Sequence, residues 1–343
     1  MEVVTMRVNE LRSILSKYEA AELREIIVAT YKTIPTDKKK DHNLDEYLQD
    51  FTIEKSISIK KESTIDFPSL KSEIETFLEN ANDGYYMRPN QYVRKEKRFK
   101  WRFEVRGFIK QLLLVKGENS EEAARFLIEI YNMLSYACSY YVFPSQDALP
   151  ATGYEQVALL KLVLEKLFQN GYSKENIKTA TYLVLDSNVD QNTIHRKLFF
   201  VLLDTLKTPD TKELALEYCK KYPKDYYSYQ SAKEWFKVRV DRISSLNDDY
   251  RYKEHSNHAA ELYTRIKFSL RCHDEGIAYY WKHTNRMESE IVLYMLLRYL
   301  LHEEELNHLW IREYDKAVAS GIKPRKDLRM EYAGRKKDSF LKA

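Results

Sequence analysis

Glycine and proline are scarce, eight of each in 343 residues. Doubly wound α/β folds and β-sandwiches spend glycine on tight turns and phosphate loops, so the scarcity points to helices joined by short polar connections. Cysteine is scarcer still: Cys138, Cys219 and Cys272 lie far apart and form no Cys-x-x-Cys pair. No disulfide framework is expected from them, and buried thiols in a reducing compartment fit better. No run reaches the ~18 apolar residues of a membrane span. The opening MEVVTMRVNE carries acidic and polar residues where a signal peptide has its apolar core, so a cytoplasmic protein without membrane contact is expected. Familiar reactive centres are missing too: there is no Gly-x-Ser-x-Gly, no glycine-rich phosphate loop and no His-Glu-x-x-His. The expected role is therefore noncatalytic, with no cofactor.

What is present is a globular balance, 44% apolar and 31% charged, which sets the chain apart from disordered sequences. The 27 tyrosines reflect either compositional bias or aromatic contact surfaces. Positive charge is segregated. The window Arg88 to Arg106 holds eight basic residues against Glu96 and Glu104, and the stretch from Lys323 to Ala343 holds eight against Asp327, Glu331 and Asp338. With a net charge of only +4, the rest of the chain is acidic, which bears on partners more than the total does.

Helical periodicity runs through most of the chain. Leu11, Ile14, Leu15 and Tyr18, then Leu23, Ile26, Ile27 and Thr30, predict two short helices, and Leu44, Tyr47, Leu48 and Phe51 a third. From Thr52 to Thr64 isoleucines fall on odd positions, so residues 52–66 read as a short strand or extended linker and mark a domain boundary. Beyond it the spacing predicts a helix with Leu70, Ile74, Phe77 and Leu78 buried, then a pair burying Trp101, Val105, Phe108, Leu112 and Val115 against Ala124, Leu127, Tyr131, Leu134, Cys138 and Tyr141. Further helices are predicted over 154–170, closed by Gly171, over 174–185, 191–207 and 211–221, closed by Pro223, then over 232–246, 250–283 and 287–320. The fold class that follows is all-α: an irregular stack of antiparallel helix pairs, an α-solenoid or superhelix, with a small N-terminal helical element at 1–51, the stack at 67–322 and a basic tail at 323–343.

Stretches such as Glu122 to Leu127 and Glu213 to Tyr218 resemble the small-residue and aromatic rhythm of tetratricopeptide helices, without that repeat's Trp, Leu-Gly and Tyr positions in register, and no named repeat is assigned. The first two helices resemble the paired helices of SAP-type and Rho-N-type nucleic-acid modules, lacking the glycine that SAP modules place between helices.

Three sets of residues are candidates for function. Arg94, Lys97, Arg98, Lys100 and Arg102 interleave with Tyr92, Phe99, Trp101 and Phe103, the mixture of cations and ring faces that single-stranded nucleic acid requires; the alternative is that Trp101 is a core anchor and the cations coat its outer side. Six of the eight histidines lie in the last third, where Glu305 and His308 have the Glu-x-x-His spacing of a di-iron helix without a second copy. His255 and His258 stand at i, i+3, a ligand pair lacking partners. Arg251 and His258 match the Arg-x6-His spacing of HEPN-type helical ribonucleases, in which the resemblance implies metal-independent cleavage at a phosphate flanked by the pair from two protomers. Ordered by expectation, the chain is a noncatalytic interaction protein with a protein partner, then a nucleic-acid binder using the basic window and tail, then a HEPN-like ribonuclease.

Overall fold

The computed structural model describes residues 8–36, 39, 45, 48, 65–87, 100–145, 147–232, 245–286, 288–301 and 306–341. Among them are fifteen α-helices and no strand. The chain is all-α, and it divides into two units, Met1–Ile65 and Asp66–Ala343.

In the first unit α1 (Val8–Leu15) and α2 (Ala20–Thr33) form where the apolar spacing predicts them. Glu19 and Glu22 close a reciprocal capping box at the start of α2, satisfying two amides that a helix N-terminus leaves without partners. Neither Leu11 nor Ile14 is buried, and α2 buries no residue. The predicted third helix and the alternating stretch 52–64 fall mostly or wholly outside the described residues.

The second unit holds α3 (Phe67–Asn82), α4 (Trp101–Leu114), α5 (Ser120–Ala137), the short α6 (Ala148–Thr152), α7 (Gln156–Phe168), α8 (Lys174–Asp186), α9 (His195–Thr205), α10 (Pro209–Ala232), α11 (Ser245–Ser269), α12 (His273–His283), α13 (Ser289–Leu300), α14 (Asn307–Ala319) and α15 (Lys326–Leu341). Helices touch their chain neighbours and also the next but one: α5 packs on α7, α7 on α9, and α8 on α10. That pattern makes the unit a stack of packed helices.

Local chemistry sets the ends. Asp66 caps α3 by accepting from Ser69 N, with Pro68 in the first turn, and Ser173 caps α8 in the same way. Gly171 closes the turn after α7 with φ 94°, a left-handed conformation that side chains resist. Apolar stripes predicted from the spacing are buried in α3, α4 and α5. Two predicted positions depart from this, Cys138, only partly buried, and Tyr141, 72% exposed: α5 ends at Ala137, before the helical register reaches them.

The segment predicted as one helix over 287–320 is two, α13 and α14, and three further boundaries differ from the predicted ones. Helix α10 runs through Pro223 to Ala232, although an interior proline loses a hydrogen bond and crowds the preceding turn at a cost of roughly 3 kcal/mol. Tyr222 and Tyr226, both buried, anchor the helix on either side of it. The segment predicted as one helix over 250–283 breaks at Arg271, which has φ 61°. Arg271 N donates to Phe268 O and Cys272 N to Lys267 O, both at 2.9 Å, a Schellman closure with arginine in the usual glycine position. Gly276 then lets α12 approach α11, since a β-carbon there would stand 3.0 Å from the Phe268 ring and 3.1 Å from Lys267 Cβ.

The third difference is at the C-terminus. Residues that read as a basic tail form α15, which docks on α14. Leu328, 1% exposed, gives α15 an apolar edge, Tyr332 stacks on Tyr314 at 4.3 Å, and the Arg335 guanidinium lies 4.9 Å over Trp310. This end joins a core of Leu293, Leu296, Leu297, Leu300 and fully buried Trp310. At the other end of the unit, Trp101 stacks flat on Phe143 with centroids 4.0 Å apart.

A candidate anion-binding groove

Helices α10, α11 and α12 enclose a groove of about 800 Å³. Its lining follows from helical spacing. Lys220 and Lys224 stand at i, i+4 on α10, Tyr279 and His283 at i, i+4 on α12, and Tyr252, Ser256, Ala259 and Tyr263 recur every three or four residues along α11. On α11 the bulky rings are at the ends of the stripe and the small residues between them, which opens the floor. The chain just past α12 is tied to α11: Arg286 Nη2 pairs with buried Glu261 at 2.7 Å, and Asn285 N donates to Asn257 Oδ1 at 2.7 Å.

The rings form a ladder. Tyr263 stacks on Tyr279 at 3.7 Å, and Tyr279 on His283 at 4.0 Å. Lys220 Nζ lies 5.4 Å from the Tyr263 centroid. Among the described residues Glu275 is the one carboxylate in the lining, and Lys267 Nζ holds it at 2.6 Å. Among the described residues no carboxylate pairs with Lys220, Lys224 or Lys282. Partial burial, then the charges of Lys282 and Lys220, lower the pKa of His283. The groove thus carries uncompensated positive charge beside stacked rings. A second groove of about 610 Å³ has the opposite character, with Glu118, Glu121, Glu122, Glu129 and Glu175 around Arg125.

The residues singled out from the sequence are placed elsewhere. Arg94, Lys97, Arg98 and Glu305 lie outside the described residues. Lys100 and Arg102 are exposed, whereas Trp101 is 5% exposed in the core and presents no face to a nucleic acid. His308 is exposed on α14. Among the described residues no group of three or more His, Cys, Asp or Glu side chains is arranged to hold a metal ion.

Arg251 belongs to α11, its side chain being outside the described set, and His258 turns toward α9. His195 Nε2 lies 2.7 Å from the Val184 carbonyl and His195 Nδ1 lies 2.9 Å from His258 Nε2. A neutral His195 therefore donates through Nε2 and accepts at Nδ1, and His258 donates through its Nε2. His258 Nδ1 is shut away from solvent. Burial, then the charge of His255, pushes the His195 pKa down to about 3, and burial with the charges of His195, His255 and Arg286 pushes His258 well down. Both ring nitrogens of His258 are thus turned into the helix packing, one bonded to His195 and the other shut from solvent.

Searches of family models, curated proteins and solved structures find no match to this chain. The groove residues carry a faint sequence signal: the run Tyr279-Tyr280-Trp281-Lys282-His283 is dense in rings and cations. Its partners Lys220 and Lys224 lie on a different helix some sixty residues earlier, so only the fold unites them.

Proposed function

We propose that this chain is a noncatalytic helical interaction protein that holds an anionic partner in the α10–α11–α12 groove. The observation that carries the reading is the groove's charge: three lysines that have no carboxylate partner among the described residues, beside a glutamate already bound to Lys267. Stacked helices offer concave surfaces of this kind, and clustered uncompensated cations raise the local concentration of anions. A cytoplasmic setting belongs to the same reading, in keeping with three free cysteines.

The basic windows of the sequence support it less. Just before α15, Arg325 is forked onto Glu290 at 2.7 and 2.6 Å, and within the helix Arg335 bonds Glu331 and Asn307. Those cations already have partners. Passage of the full chain over an immobilised polyanion tests the proposal: retention at low salt, released as salt rises and reduced by Lys220→Glu with Lys282→Glu, supports it. Equal retention of wild type and variant would remove the groove from the interaction.

A further inference from the structure

We infer that the partner of this groove is single-stranded nucleic acid, with one base stacked on the outer face of His283 and its phosphates against Lys220, Lys224 and Lys282. The inference rests on the anion-binding reading above and adds the class of ligand.

Both faces of Tyr279 are occupied, by Tyr263 and by His283, so a base cannot enter the ladder between them. Tyr263, at the inner end, is 5% exposed and has Lys220 beside its ring. His283, at the outer end, is exposed, and its position on the rim leaves the ring as the step on which a further planar group continues the stack. Stacking of this kind tolerates any base, because every base has a π face. Lys282 and His283 are consecutive, and Lys220 and Lys224 face them across the groove. That disposition matches a ligand with a flat group and negative charges a few ångströms to the side.

Two further features point to a ligand. Ser256 is 7% exposed on the groove floor, and its buried hydroxyl has no hydrogen-bond partner among the described residues, an arrangement that is costly unless a ligand group completes it. Asn285 adds an amide at the lining, able to both donate and accept as base edges require. The volume of about 800 Å³ lies in the range of small-ligand pockets and suits one extruded nucleotide. A duplex keeps its bases stacked inside and offers none to the ladder. An acidic peptide would use the lysines and leave the ring face without a counterpart.

Fluorescence anisotropy of the full chain with short labelled single-stranded RNA and DNA, a matched duplex, inorganic polyphosphate and a polyglutamate peptide decides the matter. Single strands should bind, with log affinity falling against log salt at a slope near −2, as about three phosphate contacts give. His283→Ala should weaken single-strand binding roughly ten- to a hundredfold, the worth of one base stack, and leave polyphosphate binding unchanged. His283→Tyr should restore it. Far-ultraviolet circular dichroism checks that both variants, altered at an exposed position, stay folded. If polyphosphate competes as well as the oligonucleotides and His283→Ala changes nothing, the stacking inference is overturned while anion binding stands. Preference for polyglutamate overturns it in favour of an acidic protein partner. Failure of every polyanion to bind at low salt overturns both.

Discussion

Acidification should destabilise this protein through the His195–His258 pair. Both imidazoles are neutral in the fold, joined by a 2.9 Å hydrogen bond. The groups facing them are His255 on α11, which contacts Tyr226 of α10, and Arg286 beyond α12, none of which welcomes a further positive charge. In the unfolded chain each histidine titrates near 6.5. Below that pH the unfolded state binds more protons than the folded one, so stability falls with pH until the folded pKa is reached, about 3 for His195. At pH 5 this is a loss of about 2 kcal/mol from His195 alone. His258, displaced in the same direction, steepens the slope toward two protons per molecule. Urea unfolding between pH 7 and pH 5 measures it. His258→Leu should cost about 1–3 kcal/mol at pH 7, because His195 Nδ1 loses its donor, and should flatten the dependence by up to about one proton. Identical slopes in wild type and variant would refute the reasoning.

Arg286→Ala should destabilise by about 3 kcal/mol, since it leaves Glu261 buried without its cation; thermal unfolding reads the loss, and a shift of only a degree or two would contradict it. Pro223→Ala should raise the urea midpoint, by up to about 3 kcal/mol of stability, through the hydrogen bond and space it returns to α10. Trp101→Ala should cost about 3–5 kcal/mol of stability while leaving anion affinity at the groove unchanged, as measured at a temperature where the variant remains folded.

Much of the fold was legible because its causes are local. Buried stripes in α3, α4 and α5 repeat every three or four residues, and Gly171 stops the chain where a left-handed residue is needed. Long-range packing decided the rest. Pro223 signals a helix end, yet Tyr222 and Tyr226 hold α10 together across it. Arg271 carries no sign of a break, because the turn it makes is stabilised by the approach of α11 and α12 at Gly276. Basic residues in the last stretch signal a solvated tail, whereas Leu328 and Tyr332 are enough to dock it.

The site was less legible for the same reason. Trp101 stands among cations in sequence and in the core in space, because a helix separates neighbours onto opposite faces. His258 has the spacing of a catalytic pair, but its ring meets His195, sixty-three residues away. Lys220, Lys224, Tyr263, Lys282 and His283 belong to three helices, and no linear window contains them.

The location of the anion site is the central claim, and lysine footprinting measures it. Acylation of surface amines, with and without a saturating single-stranded oligonucleotide, should show Lys220, Lys224 and Lys282 protected together by the ligand. Protection of Lys95, Lys97 and Lys100, or of Lys336 and Lys337, with the three groove lysines reacting as freely as before, would contradict the account.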